Sequence, residues 1–156
     1  ALETQKQLAY NISEITTMAL SAVLANPYDL ELDFVERRNK TECDFYFTRG
    51  ETKIQPFDGA GGPIDVASVA LRIASWSMEN PRSRNTLILD EPFKHLKGEV
   101  ANRKMLEMLH EVSKKLHLQI IMVSDERVSR AATLETTDRL FEVDIKKGIS
   151  IVTQLK

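Results

Sequence analysis

At Thr86-Leu87-Ile88-Leu89-Asp90-Glu91-Pro92, the chain places two adjacent carboxylates at the end of a short apolar run. The run has the length of a buried strand in a parallel sheet, and ligands of such sheets lie beyond the carboxyl ends of the strands. One carboxylate there can hold Mg²⁺ through water, and its neighbour can accept a proton from an attacking water. An acidic residue after a strand also commonly caps the next helix, so the stretch alone leaves catalysis and capping open.

The composition describes one globular domain. The 156 residues are 42% hydrophobic and 28% charged with a formal net charge of -2, which is enough apolar content for a core. The near-neutral balance argues against nucleic-acid binding over the whole surface, and leaves a local basic patch open. Cys43 is the only cysteine, which excludes an intrachain disulfide and favours a reducing, intracellular compartment. No apolar run is long enough to cross a bilayer, so no membrane partner is expected.

The residues after the carboxylates predict a strand-helix-strand unit. Residues 99–116 have apolar side chains near helical spacing, and Gln119-Ile120-Ile121-Met122-Val123 is a second apolar strand. A crossover helix of this size makes the two strands parallel, so Asp90 and Ser124-Asp125 are expected at the same sheet edge. Polar and acidic residues from two strands at one sheet edge favour a functional site there.

A glycine-rich loop precedes this unit. It runs from Asp58 to Asp65 and leads into a helical pattern, with Pro63 predicted as the helix start and Gly61-Gly62 as the turn before it. The start of such a helix offers free backbone N–H groups to an anion, and glycines let a phosphate approach closely. Taken alone, a glycine cluster favours a simple flexible turn.

The two ends of the chain predict one helix and two hairpins. The first segment has apolar residues in a four-three alternation: Leu8, Ile12, Ile15, Ala19 and Ala22. This spacing fits either the end of a coiled coil or an amphipathic helix docked on the core, and Asn26-Pro27 ends the helix. Alternating side chains around a polar turn at 37–41 predict the first hairpin, and residues 139–143 and 149–155 predict a closing one.

In this order, the pieces resemble the C-terminal half of an ABC-type ATPase head. Within that superfamily, the coiled-coil start and the text from Gly61 to Ala74 are most similar to SMC-like DNA-repair and recombination ATPases of the SbcC type, in phage-like versions. The resemblance covers nearly the whole chain. It implies an α/β fold, the C-terminal lobe of a P-loop NTPase head, with a mainly parallel sheet, flanking helices and antiparallel hairpins. Residues 1–26 are then the end of the coiled coil, and 27–156 the lobe.

The resemblance also assigns roles to single residues. It makes Asp90 the Walker B carboxylate that holds magnesium, and Glu91 the general base that polarises the hydrolytic water. The signature motif, which reaches the γ-phosphate held by a second head, falls on Ala60, Gly61 and Gly62.

Two further motifs follow the strands. The D-loop covers Phe93 to Gly98 with Leu96 and Lys97 within it, and the switch position is Ser124-Asp125. The chain departs from the family pattern at three positions: Ala60 replaces the usual serine, Lys97 an aspartate, and Asp125 the switch histidine. A negative charge near the γ-phosphate repels it unless a cation or a basic residue intervenes.

The sequence has no Gly-x-x-x-x-Gly-Lys-Ser/Thr phosphate loop. In this superfamily that loop comes from the N-terminal half, so the chain is expected to be a fragment that is inactive alone. The resemblance implies ATP and Mg as cofactors, and as partners the missing half, a second head in a homodimer, DNA and a nuclease subunit. The joined head would hydrolyse ATP in DNA repair, recombination or replication. Its expected location is the cytoplasm, in association with the nucleoid or within a phage-infected cell. The alternative is a catalytically degenerate SMC-like interaction or structural module.

Overall fold

The first part of the chain forms a helix and an antiparallel sheet. A computed structural model describes residues 2–56, 58, 61–81 and 83–156. Helix α1 (Leu2–Val23) precedes strands β1 (Asp29–Arg37), β2 (Lys40–Arg49) and β3 (Thr52–Ile54), which lie in that spatial order. The helix ends three residues before the predicted stop at Asn26.

The β1–β2 hairpin was correctly predicted. Leu30 of β1 pairs with Phe47 of β2, and both side chains are buried. Arg38 and Asn39 form the turn and have positive φ at both positions, which is the backbone of a two-residue type I′ turn. The short strand β3 was not predicted, since three residues carry too little alternation.

The second part contains the predicted strand-helix-strand unit. Helix α2 (Gly61–Met78) leads to β4 (Thr86–Asp90), α3 (Glu99–Leu116) and β5 (Gln119–Val123). Strands β4 and β5 pair in parallel, as expected. The predicted start of α2 was wrong by two residues: Pro63 is its third residue, within the first turn, where a missing backbone N–H costs no intrahelical hydrogen bond.

The end of the chain forms the predicted closing hairpin from β6 (Phe141–Lys146) and β7 (Ile149–Gln154). A short helix, α4 (Arg130–Thr136), lies before it and was not predicted. The α/β class is therefore confirmed, and parallel pairing among the described residues is confined to β4 and β5. No helix in the described part of the chain is long and apolar enough to cross a membrane.

Helix α1 docks on the core through its second half. Thr16, Leu20 and Val23 are buried where the helix contacts β1, α2 and α3. Leu8 and Ile15 of the predicted seam are exposed instead, so that seam is not the docking face. The predicted seam is a single stripe, but the buried Thr16, Leu20 and Val23 each lie one residue further along the chain, on the neighbouring side of the helix.

The strand pair β4–β5 is covered on one face only. Leu89 is 2% exposed within the core, whereas Ile88 is 63% exposed and Val123 56% exposed on the other face. The expectation of a buried strand therefore holds for one face of β4 only. None of the described elements covers the second face.

Candidate functional site

Two acidic residues lie where β4 ends. Asp90 is the last residue of the strand, and Glu91 follows with a φ of 41°. The Glu91 N–H donates to the carbonyl of Val123 at 3.0 Å, which holds this backbone at the sheet edge beside the end of β5. A left-handed conformation costs a non-glycine residue roughly 1–2 kcal/mol, and such strain clusters at functional sites.

The Asp90 carboxylate is available for a ligand. It is exposed and has no hydrogen bond or ion pair with any residue that the structure describes. Within the described ranges, no group of three or more His, Cys, Asp or Glu side chains can hold a metal ion. Mg²⁺ commonly takes one or two carboxylates and completes its shell with phosphate oxygens and water. Asp90 therefore fits a magnesium ion that arrives with a nucleotide, and does not fit a metal site built from protein alone.

Arg127 joins the ends of the two strands. Its Nε donates to both carboxylate oxygens of Asp125, at 2.8 and 2.7 Å, and its Nη1 donates to the Lys94 carbonyl at 2.9 Å. Its Nη2 lies 3.4 Å from Oε2 of Glu91. The predicted base, the predicted switch and the loop after β4 thus meet at one guanidinium. Ser124, the other predicted switch residue, is exposed directly after β5.

This ion pair shifts the pKa of both partners. The side-chain hydrogen bond from Arg127, and then the backbone N–H of the same residue, lower the pKa of Asp125 below its ordinary value. The hydrogen bond to Asp125 in turn raises the pKa of Arg127. Both groups are charged at neutral pH, so the pair has no net charge. Arg127 is therefore a basic residue in direct contact with the aspartate at the predicted switch position.

The start of α2 is tied to the predicted D-loop. Asp65 Oδ2 accepts hydrogen bonds from the backbone N–H groups of His95, at 2.6 Å, and Leu96, at 3.1 Å. Its Oδ1 lies 3.1 Å from Nδ1 of His95. The Asp65 side chain is only 11% exposed, so these partners replace most of its hydration. One carboxylate thus links the predicted signature helix to the D-loop.

The glycines at the start of α2 make this contact possible. A Cβ added to Gly61 would lie 2.8 Å from the His95 Cβ, and one added to Gly62 would lie 3.4 Å from Leu96 Cδ1. Gly61 therefore cannot accept a side chain unless the loop moves. The close approach to the predicted D-loop is a role that the sequence did not reveal. Ala60, the remaining predicted signature residue, lies outside the described residues.

The two predicted D-loop residues have different environments. Leu96 is 7% exposed and packs in the core, whereas Lys97 is exposed. The buried Asn102 of α3 donates from Nδ2 to the carbonyls of Leu96, at 3.1 Å, and Gly98, at 2.9 Å. This side chain holds the end of the loop against α3, so Lys97 is presented outward from a fixed backbone.

Sequence reasoning missed Arg127, Asp65 and Asn102. Arg127 had a signal, because it lies two residues after an aspartate whose charge needed a nearby cation. Asp65 had none, since His95 and Leu96 are 30 and 31 residues further along the chain. Asn102 looked like an ordinary residue of a predicted helix.

Removal of the Asp65 carboxylate should destabilise the protein. Asp65→Ala leaves two backbone N–H groups without their acceptor, and we expect the free energy of unfolding to fall by about 1–3 kcal/mol. Asp65→Asn keeps one acceptor oxygen and should cost less. Urea unfolding measures both, with Asp144→Asn as a control, because Asp144 has no side-chain partner among the described residues. A loss no larger for Asp65→Ala than for the control would contradict the assignment.

Solved structures of SMC heads share this fold. A chain from work on ATP-driven dimerization and DNA-stimulated activation of SMC ATPases aligns with a TM-score of 0.71 at 15% identity, over 99% of this chain and 89% of that one. An SMC head bound to the C-winged helix domain of ScpA aligns with a TM-score of 0.72 at 18% identity, over 99% of this chain and 44% of that one. A Pyrococcus furiosus SMC head with an extended coiled coil is bound to the C-terminal domain of ScpA. It aligns with a TM-score of 0.70 at 17% identity, over 99% of this chain and 36% of that one.

These likenesses establish the fold. The chain has the α/β fold of the SMC heads in these solved structures. It spans less than half the length of the two ScpA-bound heads. No protein-family model and no curated protein sequence matches it.

Proposed function

We propose that this chain is the C-terminal half of an SMC-like ATPase head, which binds and hydrolyses ATP between two heads of a homodimer. One observation carries the proposal: Asp90-Glu91 lies beside Ser124-Asp125 at one edge of a parallel strand pair, in a fold similar to SMC heads. Glu91 acts as the general base. Asp90 holds Mg²⁺, which supplies charge stabilisation at the phosphates when bound. The signature motif of Ala60, Gly61 and Gly62 is proposed to reach ATP held by the second head.

A further segment, the N-terminal half, completes this head in our proposal. Two apolar surfaces support it: the outer face of β4–β5, with Ile88 and Val123, and the β6–β7 hairpin, with Ile145 at 76% and Ile149 at 68% exposure. Large exposed apolar patches commonly mark interaction surfaces. The segment that covers them also supplies the phosphate loop that residues 1–156 lack.

Residues 1–26 are proposed to be the end of a coiled coil, and residues 27–156 the lobe that it joins. Helix α1 docks through one side, and its exposed apolar residues include Leu8, Ile15 and Met18. Their separations of seven and three residues are those of a heptad seam. A second helix from the other half of the head fits this stripe.

The proposed setting is DNA repair, recombination or replication in the cytoplasm. The similarity of residues 61–74 to SbcC-type, phage-like ATPases suggests DNA and a nuclease subunit as partners. The alternative is a degenerate SMC-like module with little hydrolysis, which Ala60, Lys97 and Asp125 favour. The adjacent carboxylates Asp90 and Glu91 favour hydrolysis, since a module without chemistry has no need for both.

Comparison of ATPase rates tests the proposal. We expect no appreciable turnover from residues 1–156 alone, because the phosphate loop is absent, and Mg²⁺-dependent turnover from the full-length protein, measured with and without DNA. Robust turnover by the isolated chain would overturn the division of the head into two halves. ATP binding without turnover in the full-length protein would instead favour the degenerate alternative.

A further inference from the structure

Asp125 is fully engaged by Arg127. Both of its carboxylate oxygens accept from the guanidinium, and Oδ1 also accepts from the Arg127 backbone N–H at 3.0 Å. The Lys94 carbonyl holds the other side of the same guanidinium at 2.9 Å. These two anchors fix the plane of Arg127, since its N–H groups lie in a rigid fork. The Asp125 carboxylate therefore faces an arginine, and the guanidinium offsets the negative charge that would otherwise repel a nearby phosphate.

The third contact of Arg127 differs from these two. Nη2 lies 3.4 Å from Oε2 of Glu91, which is longer than the 2.7–2.9 Å that is typical of a charge-assisted hydrogen bond. The Glu91 side chain is 44% exposed, so it can still move. A fixed cation at this distance orients the carboxylate without occupying it.

We propose that Asp125 and Arg127 act together at the switch position: Asp125 positions Arg127, and Arg127 positions the Glu91 carboxylate and offsets the charge of Asp125. This inference rests on the proposed ATPase function. It gives a reason for an aspartate where the family has a histidine, because the aspartate serves the arginine two residues later. Both residues are positioning residues, and Glu91 remains the group that accepts the proton.

Kinetics of the full-length protein test this pairing. Arg127→Ala should lower kcat by roughly ten- to a hundredfold, the usual range for a lost positioning partner, with a smaller change in KM. Asp125→Ala should lower kcat less, because Lys94 still holds the guanidinium. Arg127→Lys should fall between wild type and Arg127→Ala, since an ammonium keeps the charge without the fork. The control is Arg130→Ala, which removes an exposed arginine paired with Glu142 at 3.4 Å.

The double variant gives the sharpest result. Arg127→Ala leaves the Asp125 charge uncompensated, so Asp125→Ala added to it should restore part of the lost kcat. Thermal unfolding of both variants should match that of Arg130→Ala, which separates positioning from damage to the fold. Independent losses that simply add in the double variant would overturn the inference, as would an Arg127→Ala kcat equal to that of the control. Absence of turnover in the wild type would overturn the proposed function itself.

Discussion

Glu91→Gln is expected to abolish ATP hydrolysis by the full-length protein while ATP binding is retained. The amide has nearly the shape of the carboxylate, but it cannot accept a proton from water. General bases typically contribute about a hundred- to ten-thousandfold to the rate, so a loss of that size is expected. Single-turnover hydrolysis measures the chemical step, and equilibrium binding of ATP shows whether the site is intact.

The matched control for this variant is Glu126→Gln. Glu126 is exposed, lies beside the same ion pair, and has no side-chain partner among the described residues. Its neutralisation changes the local charge by the same amount and should leave the rate near that of the wild type. A Glu91→Gln rate equal to that of Glu126→Gln would remove Glu91 from the role of base.

Asp90→Asn is expected to produce the second large loss, through magnesium. A metal ion bound to the phosphate stabilises the charge of the transition state by several kcal/mol, which corresponds to roughly a hundredfold or more in rate. The Asp90 carboxylate has no partner among the described residues, so its neutralisation should not disturb the fold. Titration of the ATPase rate with Mg²⁺ should show a higher requirement and a lower maximum.

The control for this loss is Asp144→Asn, an exposed carboxylate on β6. A magnesium titration of Asp90→Asn that overlays that of Asp144→Asn would exclude Asp90 as the metal ligand. The two acidic variants also separate the two roles, because Glu91→Gln should keep the ordinary magnesium requirement for ATP binding.

Local patterns predicted the elements that build the site. The apolar runs of β4 and β5 and the helical spacing of α3 between them identified a parallel unit, and its topology brought Asp90 and Asp125 to one edge. That result follows from periodicity and chain direction alone. The docking face of α1 was not predictable, since apolar residues such as Ile15 and Leu20 lie on different sides of the helix.

The contacts within the site depend on tertiary structure. Arg127 reaches Glu91 and Lys94 across more than thirty residues, and Asp65 reaches the loop after β4 over a similar separation. Spacing rules describe neighbours on one element and do not report such pairs. Gly61 illustrates the limit of prediction from sequence. The glycine-rich loop suggested space for a phosphate, whereas the structure also places the His95 side chain against Gly61.

In the proposed function, two heads dimerise around ATP. The molecular mass of the full-length Glu91→Gln protein tests this dimerisation most directly. Sedimentation is measured with Mg²⁺, with and without ATP, because this variant should bind the nucleotide without consuming it. We expect a protein whose mass doubles only when ATP is present, as two heads join around the nucleotide. A mass that ATP does not change, in a variant that binds ATP, would contradict the account.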